Sequence, residues 1–257
     1  MHLIDSHAHL TYPELSRQMD GVLSRCAEEG VGQVITIGTS LSDAEAAIAL
    51  SRQHPGRIHA AVGFHPHHAN EVSEADLARM SALWETNDVA ALGEMGLDYH
   101  YDFADRNRQR DVFAGQLRHG ARRDKPVIIH CREAFADVVP MLIAAGFEGR
   151  RVVFHCFTGS AAEAEQVARH GWRISFTGVV TFPKSDELRE IARAYPADQM
   201  MVETDSPYLS PAPVRSKKPN EPSFVAHTTR FLAELRGEKI EDFAERTTRN
   251  TREFFGL

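Results

Sequence analysis

The sequence predicts an α/β fold, a (β/α)₈ TIM barrel forming a single domain over residues 1–257. Two observations predict it. Eight short apolar runs alternate with amphipathic stretches, and the runs end near positions 7, 38, 65, 98, 130, 155, 178 and 205, 23 to 33 residues apart, with no linker or change in composition. A chain of 257 residues is also long enough to bury one large core. A doubly wound open sheet is the alternative, and a count of eight disfavours it.

The runs cover residues 2–7, 33–38, 58–65, 89–98, 126–131, 151–157, 173–178 and 199–205. Most are rich in Val and Ile, the pattern of parallel strands buried on both faces. Helical patterns lie between them. The first, 14–29, ends at Gly30, and Ser42 is expected to cap a second that runs to about His54. Ser73 and Asp76 form a capping box ahead of 77–85. Helices follow at 105–123, 134–145, 160–170 and 185–194, and the pair 223–235 and 240–255 closes the chain. One long loop, 207–222, holds five prolines with Arg215, Lys217 and Lys218, directly after the last strand.

With 42% hydrophobic and 25% charged residues, the composition is that of an ordinary globular protein. A formal charge of −7 excludes a surface coated in basic residues, so any contact with nucleic acid must be local. Cys26, Cys131 and Cys156 show no CxxC spacing, and an odd number of thiols points to a reducing compartment. There is no basic start followed by an apolar stretch and no run of 18 apolar residues, so a cytoplasmic protein with no membrane contact is expected.

In a barrel of this kind functional groups gather at the C-terminal strand ends, where the unusual residues of this chain fall. His7 and His9, two apart, share one face of the first strand. His65 ends the third, Glu94 and Asp98 lie at the end of the fourth, His130 and His155 follow apolar triplets on the fifth and sixth, and Glu203 and Asp205 close the eighth. One such residue is ordinarily a core hydrogen bonder or a helix cap. So many ionisable groups buried at one end are costly unless they pair or bind metal. Four histidines with Glu94 and Asp205 make a nitrogen and oxygen set without thiolate, more than one tetrahedral zinc needs and suited to two cations bridged by Glu94. Cys131 and Cys156 are expected to point away from their histidine neighbours and to pack as small apolar residues.

The segments His7-Ala8-His9, Gly93-Glu94-Met95-Gly96-Leu97-Asp98, His130-Cys131-Arg132, His155-Cys156-Phe157-Thr158-Gly159 and Glu203-Thr204-Asp205-Ser206-Pro207-Tyr208-Leu209 closely resemble the TatD family of metal-dependent deoxyribonucleases, essentially end to end. The resemblance implies a metallo-dependent hydrolase barrel with two divalent metal ions, Mg²⁺ first and Mn²⁺ or Zn²⁺ as alternatives, and 3′→5′ exonuclease-like activity on DNA with single-stranded or 3′ ends preferred. It implies one metal on His7, His9, Glu94 and Asp205, a second on Glu94, His130 and His155, and His65 on substrate phosphate. Where the family's basic segment reads Arg-Gly-Lys, this chain has Arg215-Ser216-Lys217-Lys218, a stiffer loop.

On this reading Asp205 orients or deprotonates a water that the cations activate, and Glu203 either holds a neighbouring histidine, Lys or Arg in place or forms an inward structural salt bridge. Arg132, Arg215, Lys217 and Lys218 are phosphate-contact candidates. Tyr99, Tyr101, Phe157 and Tyr208 are positioned either to stack on a base or to pack at the barrel mouth. His67 and His68 read as polar loop residues, and a monomer is expected. The rival is a small-molecule ester, amide or aminoacyl-ester hydrolase on the same scaffold, towards which the acidic charge leans and against which the basic loop and the Glu bridge weigh.

Overall fold

Runs of Val, Ile and Ala suit strands covered on both faces, and in the computed structural model, which describes residues 2–257, each run forms one strand of a single parallel sheet. The strands pair in chain order: β1 (Leu3–Ala8), β2 (Val31–Gly38), β3 (Ile58–Val62), β4 (Val89–Asp98), β5 (Val127–Arg132), β6 (Val152–Phe154), β7 (Arg173–Phe176) and β8 (Met200–Val202). The sheet closes just beyond β8. Ala8 pairs in parallel with Ser206, the Asp205 amide donates to His7 O at 2.9 Å, and the His9 amide donates to Ser206 O at 2.8 Å. Closure of this kind satisfies the outer edges against each other and excludes an open doubly wound sheet.

Helices surround the sheet: α1 (Pro13–Ser16), α2 (Met19–Glu28), α3 (Leu41–Gln53), α4 (Glu74–Leu83), α5 (Arg106–Gly120), α6 (Phe135–Ala144), α7 (Ala161–Arg169), α8 (Asp186–Ala194), α9 (Val225–Arg236) and α10 (Ile240–Phe255). The core accordingly has two parts. The larger lies between strands and helices; the smaller gathers Ile35, Ile37, Ala61, Ala91, Ile128, Val153 and Met201, and Phe254 and Phe255 from the end of α10 pack against it. Among the described residues no helix is long and apolar enough to cross a membrane.

Several expected boundaries shift, each for a local reason. The pattern over 14–29 breaks into α1 and α2 at Gln18, whose φ of −133° and ψ of 32° leave the helical region. Ser40, not Ser42, caps α3: its hydroxyl accepts from the Asp43 amide, and the Asp43 carboxylate reaches back to Thr39. Ser73 and Asp76 do form a capping box, and Ser160 with Glu163 makes a second on α7. The sixth and eighth strands are shorter than expected because the regular extended backbone breaks at Cys156 and Asp205, which sit at φ 45° and 54°.

Candidate metal centre

Glu94 sits at the centre of the barrel mouth, and glycine lets the backbone place it there. A Cβ on Gly96 (φ 148°) would lie 1.9 Å from His130 O, and one on Gly93 (φ 120°) 2.4 Å from Ile128 O, so β4 runs against β5 more closely than any side chain allows. The Glu94 carboxylate that results is 1% exposed.

Its two oxygens face different partners. Oε2 lies 3.5 Å from His7 Nε2 and 4.0 Å from His9 Nε2, and Asp205 Oδ1 stands 3.7 and 3.3 Å from the same two nitrogens. Oε1 lies 2.6 Å from His155 Nε2, 2.7 Å from His130 Nδ1 and 3.5 Å from His65 Nε2. Glu94 therefore divides the site, with His7, His9 and Asp205 on one side and His130, His155 and His65 on the other. His65 comes nearer than expected: its Nε2 joins Glu94 and His130 as a group of donors close enough to share one ion.

Burial drives the carboxyl of Glu94 up, but His155, His65 and the hydrogen bonds of His130 and His155 outweigh it and hold the group well below the ordinary carboxylate range. Burial lowers His7 and, more strongly, His65, while the carboxylates around His9, His130 and His155 overcome burial and raise all three. Asp205 is likewise held low by His9 and His7 against the effect of burial. Glu94 and Asp205 are thus favoured in the ionised form that metal ligation requires.

Supporting groups orient the rings. Asp98 was not assigned a role from sequence, yet its Oδ2 lies 2.9 Å from His130 Nε2 and 3.0 Å from His67 Nε2, while Oδ1 accepts from the amides of His100 and Tyr101. His67, read as a loop residue, therefore belongs to the same chain of contacts. The only signal for either was proximity to Glu94 and His65 in sequence; the pairing needs β4, β5 and the 3₁₀ turn at Pro66–Glu71 to be brought together. Glu203 Oε1 accepts from the Cys156 amide at 2.7 Å and stands 3.4 Å from His155 Nδ1, and Oε2 takes the Ser6 hydroxyl at 3.4 Å. No Lys or Arg pairs with it among the described residues. Asp5 ties β1 to the end of β8 through the Thr204 amide at 2.9 Å.

The remaining candidates divide. Arg132 ends β5 and borders a cleft of about 430 Å³ that opens beside His155 and is also lined by Phe135, Phe157 and Thr158. Arg215, Lys217 and Lys218 are exposed on the loop after β8 and lie outside the Glu94 cluster; Arg215 rests over Phe182 at 4.1 Å and Lys217 over Phe224 at 5.8 Å. Of the aromatic candidates, Tyr99 is tied by its hydroxyl to Asp137 and Phe157 is buried, whereas Tyr101 and Tyr208 are exposed. Cys131 packs partly against the core, and Cys156, off the strand, lies with Sγ 3.5 Å from Thr177 Oγ1.

The donor set fits a metal. Both ring nitrogens of His7 and Nδ1 of His9 are buried with no hydrogen-bond partner. Donors bound to one cation at ~2.1 Å stand roughly 3.0–3.4 Å from one another, close to the spacing of 3.3 to 4.0 Å between the His7 and His9 nitrogens and the oxygens of Glu94 and Asp205.

The chain is similar to known proteins along nearly its whole length. It is 36% identical over 255 residues to an uncharacterized metal-dependent hydrolase, YabD, of Bacillus subtilis (strain 168), covering 99% of each chain. It is 35% identical over 259 residues to the 3′-5′ ssDNA/RNA exonuclease TatD of Erwinia amylovora, covering 99% of this chain and 100% of that one. Among solved structures, YjjV, a TatD homolog from Escherichia coli K12, superposes with a TM-score of 0.92 at 29% identity over 99% of this chain and 98% of that one. The family model described as TatD related DNase matches residues 4–256, nearly the whole barrel with every residue of the mouth, and the chain belongs to the TatD family.

Proposed function

We propose that this metal-dependent hydrolase of the TatD family cleaves phosphodiester bonds of DNA, working from the 3′ ends of single strands with two divalent cations. The observation that carries the reading is the division of Glu94, whose Oε2 faces His7 and His9 while Oε1 faces His130 and His155. One cation would be held by His7, His9, Glu94 and Asp205, and the second by Glu94, His130 and His155. Such a pair, when bound, lowers the pKa of a water towards neutrality and polarises the scissile phosphate.

The chain's own residues do the rest. Asp205 Oδ1 faces His7 and His9 at the end of β1, leaving Oδ2 to take the proton of the attacking water. Glu203 and Asp98 hold His155 and His130 in orientation from the far side of each ring. His65 and Arg132, both at the mouth, would contact phosphate, and Arg215, Lys217 and Lys218 would meet the strand further from the cut. The name of the Erwinia amylovora relative supports a nucleic-acid strand as substrate.

The test is an oligodeoxynucleotide labelled at its 5′ end, incubated with protein and Mg²⁺ in parallel with a panel of carboxylic, aminoacyl and lactone esters. Shortening from the 3′ end that EDTA abolishes is expected, with little turnover of the panel. Hydrolysis of esters alone overturns the reading in favour of a small-molecule or aminoacyl-ester hydrolase. Asp205→Asn should remain folded, retain at least one metal and lose about 10²-fold or more in turnover; full activity would remove the role given to Asp205.

A further inference from the structure

Among the described residues five large apolar side chains are exposed, and three of them are aromatic rings at the barrel mouth: Tyr101 (41%), Phe103 (62%) and Tyr208 (53%). They form two separate platforms. Phe103 lies 5.2 Å from Tyr101, ring to ring, and 4.7 Å from His67, whose Nε2 contacts Asp98 beside His130. Tyr208 meets Tyr12 edge to face at 6.3 Å, and Tyr12 stacks on His9 at 5.0 Å. The first platform thus adjoins the Oε1 side of Glu94 and the second the Oε2 side.

We infer that these rings are stacking platforms for nucleobases on either side of the scissile phosphate. The inference rests on the nuclease reading and adds how the strand is gripped. Exposed aromatic clusters beside a polar site mark binding surfaces more than fold stability. Each platform offers one or two rings, the area of a base and too small for a protein partner. The Arg132 guanidinium lies 4.8 Å from the Tyr101 ring, which sets a cation for a phosphate next to a face for a base. A chain of net charge −7 also gains less from phosphate contacts than a basic one, so stacking must carry a larger share of affinity. Stacking ignores sequence but needs an uncovered base face, so a requirement for single strands follows from the platforms themselves.

The test uses a phosphorothioate strand, resistant to hydrolysis, with 2-aminopurine in its last two 3′ positions and Mg²⁺ present. Wild-type protein should quench the fluorophore. Tyr101→Ala with Phe103→Ala, or Tyr208→Ala alone, should weaken binding between about 5- and 150-fold for each base released. Phe103→Tyr and Tyr208→Phe, which keep a ring, should bind as wild type does. Abasic sites in those two positions should erase the difference between wild type and the alanine variants. Affinity unchanged in the alanine variants, or no quenching by wild type, overturns the inference. Cleavage of an unmodified strand is measured alongside. Ring-dependent binding without cleavage sinks the nuclease reading and leaves the platforms standing; cleavage with ring-independent binding does the reverse.

Discussion

Glu94 is the residue on which the site depends, because one buried carboxylate faces two groups of imidazoles with one oxygen each. Its neighbours were legible for a simple reason: His130, His155 and Asp205 each follow a buried run, where an ionisable group stands out. Asp98 and His67 were not legible, since their meaning lies in a shared contact between β4 and the turn after β3 that no spacing reveals. Asp98→Asn keeps the shape but removes the charge behind His130, so metal affinity should fall roughly 10- to 100-fold. Isothermal titration with Mn²⁺ measures it, and unchanged affinity would show that Asp98 only packs. The thiols give a second check at this scale. Burial pushes Cys26 and Cys131 up to about 12 and Cys156 well above the ordinary thiol range. At pH 8 only about one in ten thousand of the Cys26 and Cys131 thiols is ionised. Iodoacetamide should therefore leave all three unmodified until the chain unfolds, and rapid labelling of the native protein would refute the packed reading.

At the scale of elements, the long fourth strand does the positioning. Gly96→Ala would set a Cβ 1.9 Å from a backbone oxygen of β5, at a φ that side chains rarely adopt, and the loss of stability should be at least about 3 kcal/mol. Thermal unfolding of the variant, followed by circular dichroism, is the measurement; a melting temperature within 2 °C or so of wild type would mean that β4 can move away from β5 at little cost. Neither glycine announced this role, because close approach is a property of two strands. Boundaries were misjudged for a related reason. The apolar runs do continue to Phe157 and Asp205 and keep hydrogen bonds to the neighbouring strands, yet the positive φ of Cys156 and Asp205 ends the regular extended backbone before them. Ser40 and Ser42 are both plausible caps in sequence, and only the Asp43 carboxylate bonded to Thr39 selects the first. The loop after β8 is likewise fixed from within, by buried Asn220, whose amide donates to Thr204 O at 3.0 Å and to Tyr208 O.

At the scale of the whole molecule, the eightfold recurrence of strand and helix was the most readable feature, because closing a parallel barrel fixes the number of strands that a chain of this length must supply. Closure also explains why residues as distant in sequence as His7 and Asp205 meet: β1 and the end of β8 share backbone hydrogen bonds, so the two ends of the barrel sequence form one wall of the site. What sequence could not give was the allocation of donors between two sides, which depends on where the Glu94 oxygens point once the wall is closed. That allocation requires two cations at the barrel mouth, and their number can be counted. Protein stripped with EDTA is titrated with Mn²⁺, free Mn²⁺ is read by electron paramagnetic resonance, and hydrolysis of a single-stranded oligonucleotide is followed at each point. Two equivalents should bind to the wild-type chain, with turnover rising as the second is taken up, at least one equivalent to Asp205→Asn with little turnover, and fewer than two to Glu94→Ala. A single equivalent supporting full activity, or two equivalents still bound by Glu94→Ala, would contradict a centre built across one bridging carboxylate.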